Sequence, residues 1–283
     1  MSRFVYVNGR YVPRQSAGIS AEDRGFLFGD AVYEVCEVLD GHLIDETRHV
    51  ERLCRSLGEL RMELPMAPAA LGRVLRETIR RNRVSDGIVY LQVSRGIAPR
   101  DHAFPSTLVR PCIVVTAKSL DRAILNERLA TGVNIISLPE TRWARRDIKS
   151  INLLANVLAR QEAKEAGAFE AWFVDDDGFV TEGTSSNAWI VDASGRIRTR
   201  GLSNDILHGV TRAALLRIAH ERQMQVIESP FTIAEALAAR EAFISSAGNP
   251  AVAVIAIDDT PVCDGRPGPV TRALGAAYLG GAP

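Results

Sequence analysis

Short runs of β-branched and aromatic residues recur through both halves of this chain, with amphipathic helical stretches between them. Such a chain has to pack helices against sheets, which argues for an α/β or α+β protein, although periodicity does not give the strand order. The opening FVYVNGRYVP alternates about Asn8-Gly9, a dipeptide that accepts positive φ and predicts a two-residue hairpin. Val50, Leu53, Cys54, Leu57 and Leu60 then fall on one side of a helix, as do Leu71, Val74, Leu75 and Thr78 in the next. GIVYLQVSRG and RPCIVVTA read as strands, joined by the polar, proline-bearing IAPRDHAFPST.

The strand pattern lapses at SLDRAILNER and resumes at GVNIISLP, which sets a domain boundary near Arg122 and divides the chain into residues 1–121 and 122–283. INLLANVLARQEAKEAG predicts a helix with apolar positions at Ile151, Leu154, Val157 and Leu158 and a C-terminal stop at Gly167. AWFVDDDGFVTEG and NAWIVDASGRIRTR predict strand pairs turning at Asp177-Gly178 and Ser194-Gly195, and further helices begin near Thr211 and Thr232.

A chain of 283 residues can bury a substantial core, and 46% hydrophobic with 24% charged residues is globular composition. Basic and acidic residues balance at 34 each, so no overall field draws the protein to nucleic acid or an anionic membrane. Cys36, Cys54, Cys112 and Cys263 lack metal-binding or disulfide-framework spacing, which fits reduced thiols in a cytoplasm. With no basic segment leading into a long apolar stretch, and no run long enough to span a bilayer, the expectation is a soluble, unexported protein.

Several residues carry chemistry, each with an ordinary alternative. Lys149 in RRDIKSINLL is either a solvated lysine before a helix or an amine kept neutral for covalent chemistry by Ile148 and Ile151 and by the cations Arg145 and Arg146. Glu182 in FVTEGTSSN is either a turn residue or a carboxylate that holds a proton on a pyridine nitrogen. Gly209, Val210 and Thr211 open a helix whose amides attract an anion, unless Thr211 is simply its N-cap. Arg52 is either a helix-surface ion pair or a forked phosphate contact. Arg95, Arg100 and His102 cluster in a loop suited to a substrate carboxylate, and Tyr33 either packs within a strand or presents its hydroxyl to a ligand.

Taken in order, EDRGFLFGDAVYEV, HVERL, VYLQVSRGIAPRDHAFP, RWARRDIKSINLLANVLARQEA, TEGTSSN and ILHGVTR resemble the D-amino acid transaminases of the fold-type IV, pyridoxal-phosphate-dependent aminotransferase family across most of the chain. The resemblance implies a two-domain fold-type IV architecture in which residues 122–283 form the cofactor-binding domain, pyridoxal 5′-phosphate as cofactor and a homodimer as the working unit. It implies Lys149 as the Schiff-base lysine and proton shuttle and Glu182 as the partner of the pyridine nitrogen. Arg52, Val210 and Thr211 would meet the phosphate, Ser185 would support the site, and Leu207 would pack on the ring. Tyr33, Arg100 and His102 match the family's carboxylate trap. After EAFISS this chain continues Ala247, Gly248, Asn249 and Pro250 where relatives supply further hydroxyls, which leaves Ser246 or a backbone amide to reach the phosphate. The implied reaction moves an amino group between a D-amino acid such as D-alanine and a 2-oxo acid. Its rivals are a branched-chain L-amino acid transaminase, an R-selective amine transaminase, an aminodeoxychorismate lyase and, more distantly, a pyridoxal-phosphate carrier without turnover.

Overall fold

Asn8 and Gly9 take φ of 48° and 95°, so the first hairpin turns where the sequence places it, between β1 (Phe4–Val7) and β2 (Arg10–Pro13). The computed structural model describes residues 2–280, in two units. One holds residues 2–121 together with Ile148–Asn152; the other holds Arg122–Asp147 and residues 153–280.

The first unit contains α1 (Arg24–Phe28), β3 (Ala31–Leu39), β4 (His42–Leu43), α2 (Glu46–Glu59), α3 (Pro68–Asn82), β5 (Gly87–Ser94) and β6 (Cys112–Ser119). Its six strands run in the order β2-β1-β6-β5-β3-β4, all paired antiparallel. Leu53 and Leu57 of α2 and Leu71, Leu75 and Ile79 of α3 cover one face, meeting Val32, Cys36, Val89, Leu91 and Val115. Because strand side chains alternate, that burial turns Tyr33, Val35, Tyr90 and Gln92 to the opposite, half-buried face. Ile148–Asn152 joins this unit through its backbone: Ser150 bridges Val32, Tyr33 N donates to Lys149 O at 2.9 Å, and Ile151 N donates to Ala31 O at 3.2 Å.

The second unit contains α4 (Arg122–Thr131), β7 (Val133–Pro139), α5 (Leu154–Glu165), β8 (Glu170–Val174), β9 (Val180–Gly183), β10 (Asn187–Val191), β11 (Ile197–Thr199), α6 (Val210–Glu221), β12 (Val226–Glu228), α7 (Ile233–Leu237), β13 (Glu241–Ser246), β14 (Asn249–Ile257), β15 (Thr260–Pro261) and α8 (Pro269–Gly280). Its strands follow the path β12-β11-β10-β13-β14-β7-β8-β9, with β15 paired to β14. Parallel pairs β14–β7, β7–β8 and β11–β12 sit among antiparallel ones, so the sheet is mixed. Trp172, Val180, Ile190, Phe231, Ile244 and Val252 fill its core.

Two local expectations are corrected. The helix foreseen from Ile151 starts at Leu154, and it buries Ala159 and Ala163 while Leu154, Val157 and Leu158 stand 73%, 59% and 63% exposed. Small residues on the inner face let α5 approach the sheet closely, and that selects its orientation over the pull of the larger side chains. Gly167 does mark the end, with φ of 73°. Thr211 is not the N-cap of α6: Gly209 occupies that position without a side-chain cap bond, and Thr211 lies buried in the first turn. Thr232 does cap α7, in a reciprocal pair with Glu235. Among the described residues no helix is long and apolar enough to cross a membrane.

Candidate active site

Backbone pairing delivers Lys149 to the open face of the first sheet. Its Nζ lies 4.3 Å from the centre of the Tyr33 ring, and Tyr33 stacks on Tyr90 at 5.6 Å. Burial, with Tyr33 adding to it, raises the Tyr90 hydroxyl to about 12. That group therefore stays protonated at neutral pH and donates to Gln92 Oε1 at 2.8 Å. Ile148 is buried in the helix-side core, whereas Lys149 Nζ lies on the open face beside Tyr33. The expected cations are spoken for: Arg145 pairs with Asp147 at 2.9 Å, and Arg146 lies 3.3 Å from both Glu140 and Asp205. Their charge is answered by carboxylates.

On the helix side of β3, Arg52 reaches from α2 to grip Glu34 with Nε and Nη2, both at 2.8 Å, and His49 Nδ1 lies 2.8 Å from the same carboxylate. Burial alone would push Glu34 up, but the Arg52 charge and its two bonds outweigh it and hold the carboxyl at about 2. Glu34 thus fixes the orientation of Arg52, a role the sequence did not disclose.

Arg100 and His102 are exposed on the loop after β5, and both lie against Phe28, the Arg100 guanidinium 5.3 Å from its ring centre and the His102 ring 5.4 Å from it. Arg95 does not join them as a carboxylate contact. Its Nε and Nη2 donate to Asp30 at 2.7 and 3.0 Å, and Nη2 also donates to Leu60 O at 2.7 Å.

In the second unit Glu182 is buried in β9. Oε1 accepts from Arg142 Nη1 at 2.7 Å, while Oε2 accepts from Asn187 Nδ2 at 3.1 Å and from the Leu207 amide at 3.0 Å. Burial pushes this carboxyl above its ordinary range, and Arg142 pulls against that. Arg142 also grips Glu140, which contacts Arg146; Arg146 meets Asp205, Asp205 meets Arg200, and Arg200 meets Asp175. Carboxylate and guanidinium alternate along this line, with Glu182 at one end. Leu207 therefore enters through its backbone amide as well as any ring contact.

Thr184, Ser185 and Ser186 all bond to the buried Glu170, Ser185 through its amide at 3.1 Å and its hydroxyl at 3.5 Å although the residue is exposed. Val210 and Thr211 occupy the first turn of α6. Gly209 ahead of them admits no side chain, since an added Cβ would collide with Asn187 Oδ1. Ser246 closes β13, opposite Asn249, and Gly248 turns the hairpin at φ of 81°. Arg142, Asn187 and Glu34 escaped the sequence reading because nothing in the local pattern tells a buried, hydrogen-bonded or ion-paired side chain from a solvated one.

The chain is 40% identical over 271 residues to a D-alanine aminotransferase of Staphylococcus haemolyticus, covering 95% of this chain and 94% of that one. In fold it resembles the branched-chain amino acid aminotransferase of Escherichia coli, with TM-score 0.91, 22% identity and coverage of 100% and 95%. It also resembles a branched-chain amino acid aminotransferase from T.th. solved with pyridoxamine 5′-phosphate, with TM-score 0.89, 26% identity and coverage of 99% and 93%. Residues 31–257, the span that holds Tyr33, Arg52, Arg100, His102, Lys149, Glu182 and the start of α6, match the family described as amino-transferase class IV, and the chain belongs to that family.

Proposed function

We propose that the protein is a D-amino acid transaminase, transferring an amino group between a D-amino acid such as D-alanine and a 2-oxo acid with pyridoxal 5′-phosphate as cofactor. The observation that carries the reading is the extended match to D-alanine aminotransferases, within which Tyr33, Arg100 and His102 stand where a carboxylate trap is expected. The donor set suits the cofactor. Lys149 offers a covalent anchor, Glu182 a buried carboxylate for a ring nitrogen, Arg52 a guanidinium, and α6 a glycine-led helix start for a phosphate. When bound, the cofactor supplies an electron sink for the bond broken at the substrate α-carbon.

Lys149 Nζ would take the substrate α-proton and give a proton back, so one amine would serve as base and acid in turn. Glu182 would face the ring nitrogen of the cofactor and help to hold a proton there. Arg100 and His102 orient the α-carboxylate, and Tyr33 lies beside the lysine. Two half-reactions at one site give ping-pong kinetics. The branched-chain reading is favoured by the solved structures named above and opposed by the Arg100 and His102 pair. Single-turnover half-reactions with D-alanine and L-leucine decide between them: the D-amino acid should react and L-leucine should lag far behind.

The assembly we infer is a homodimer. Leu154, Val157 and Leu158 lie at i, i+3 and i+4 on one exposed face of α5, and a second copy of the chain is the occupant that would bury them. Val157→Asp with Leu158→Glu should convert the dimer to a monomer by light scattering; an unchanged mass would move the interface elsewhere. The inferred compartment is a cytoplasm, on cysteines whose spacing suits reduced thiols.

A further inference from the structure

Arg24 is a buried guanidinium, with a side chain only 3% exposed, that touches none of the residues assigned above to the cofactor. All three of its nitrogens are engaged within the first unit. Nε donates to Asp30 Oδ2 at 2.8 Å, Nη1 to the Asp101 carbonyl at 2.6 Å, and Nη2 to the His102 carbonyl at 3.3 Å. Its guanidinium also lies 4.8 Å from the centre of the Phe28 ring, the ring that Arg100 and His102 contact.

The surroundings anchor this arrangement to the sheet. Asp23 caps α1 by accepting from the amides of Gly25 and Phe26, and it accepts from Ser94 Oγ at 2.6 Å at the end of β5. Arg24 N donates to Gly96 O at 2.9 Å, and Ala98 N donates to Glu22 O at 3.3 Å, so the chain around Arg24 runs antiparallel to the start of the loop. Burial pushes the Asp30 carboxyl up, but the bonds from Arg95 and Arg24 outweigh it and hold the group below the usual carboxylate range. Arg95, bound to Asp30 and to the Leu60 carbonyl, ties the same carboxylate to the end of α2. The loop that presents two exposed side chains thus has its backbone held from beneath by one fork.

We propose that Arg24 is the positioning residue of substrate recognition: by fixing the carbonyls of Asp101 and His102 and packing on Phe28, it aims Arg100 and His102 at the substrate carboxylate. This rests on the reading of that pair as the carboxylate trap. A lysine carries the charge and can keep Asp30, but it has no planar fork to reach two successive carbonyls, so Arg24→Lys separates charge from geometry. Phe28→Leu removes the shared ring and leaves Arg24 in place.

The test uses the cofactor-loaded enzyme, with Arg100→Ala as the reference for the trap itself. For Arg24→Lys and Phe28→Leu, KM for D-alanine and the inhibition constant for propionate, a carboxylate without an amino group, should rise together by about five- to thirty-fold. Their kcat should stay within about two-fold of the parent, and the rate with D-alaninol, which has an alcohol in place of the carboxylate, should change little. If Arg100→Ala weakens propionate while both other variants leave it unchanged, Arg24 does not position the trap. Equal losses for D-alanine and D-alaninol in both variants would reduce Arg24 to general support of the fold and overturn the proposal. If Arg100→Ala itself spares propionate, the trap reading fails first, and Arg24 loses its role with it. Should Arg24→Lys fail to fold, Phe28→Leu decides alone by the same criteria.

Discussion

Arg142 donates to Glu182 at 2.7 Å with Nη1 while its Nη2 holds Glu140 at 2.6 Å, so one buried cation stands between two carboxylates. Removing it leaves Glu182 with the full cost of burial and no opposing charge. In Arg142→Gln the Glu182 carboxyl should be pushed further above its ordinary range, which weakens its hold on a proton at the cofactor ring. α-Proton removal should slow by at least about ten-fold, with a changed pH dependence of the bound cofactor's absorbance. Glu182→Gln should slow the same step while retaining cofactor. Wild-type single-turnover rates in both variants would remove the electron-sink role from Glu182.

Borohydride treatment of the loaded enzyme should fix the cofactor to the peptide that contains Lys149. The motive is the position of Nζ beside the Tyr33 ring on the open face of the sheet. Peptide mapping that found the label on Lys118 or Lys164 would reassign the covalent anchor.

Glu34 makes a pH prediction whose sign follows from its pair with Arg52. Its carboxyl is held at about 2 in the folded chain against an ordinary 4.5, so the unfolded chain binds the proton more readily. The stability it contributes is complete above about pH 4.5 and is lost as pH falls through about 2. Glu34→Gln should remove that acid-side slope. It should also cost about 3 to 5 kcal/mol at neutral pH, because Arg52 is left buried without its carboxylate. Denaturant unfolding of both proteins from pH 7 to pH 3 measures each quantity.

Arg100→Ala should lower kcat/KM for D-alanine by roughly ten- to a hundred-fold, as expected for loss of a charge-assisted contact worth about 1.5 to 3 kcal/mol. Cofactor absorbance should be unchanged. A comparable loss with D-alaninol would show that the mutation disturbs the loop rather than a carboxylate contact.

The elements were largely legible, because both halves announce themselves by period. Leu53 and Leu57 fall inward as their spacing demands, and the strands around Tyr90 and Val115 lie where β-branched runs place them. Turns were legible where chemistry fixes φ, as at Asn8-Gly9 and Gly178. The orientation of α5 was not, because hydrophobic spacing names a face without saying what covers it. The candidate residues Lys149, Glu182, Arg52 and Arg100 came from extended resemblance. Their supports, Arg142, Glu34 and Arg24, did not: each becomes distinctive only once a carboxylate or a carbonyl from far along the chain is folded against it. In RWARRDIKS three arginines stand within five positions, and nothing local says that Arg142 is the one facing Glu182.

With a glycine ahead of Val210, no cap side chain competes with an anion for the first amides of α6. Inorganic phosphate carries the same oxygens as the cofactor's own phosphate group, so the storage buffer becomes a competitor. Apoprotein kept in phosphate should regain its cofactor absorbance more slowly than apoprotein kept in an uncharged or organic buffer, and dialysis should restore the faster uptake.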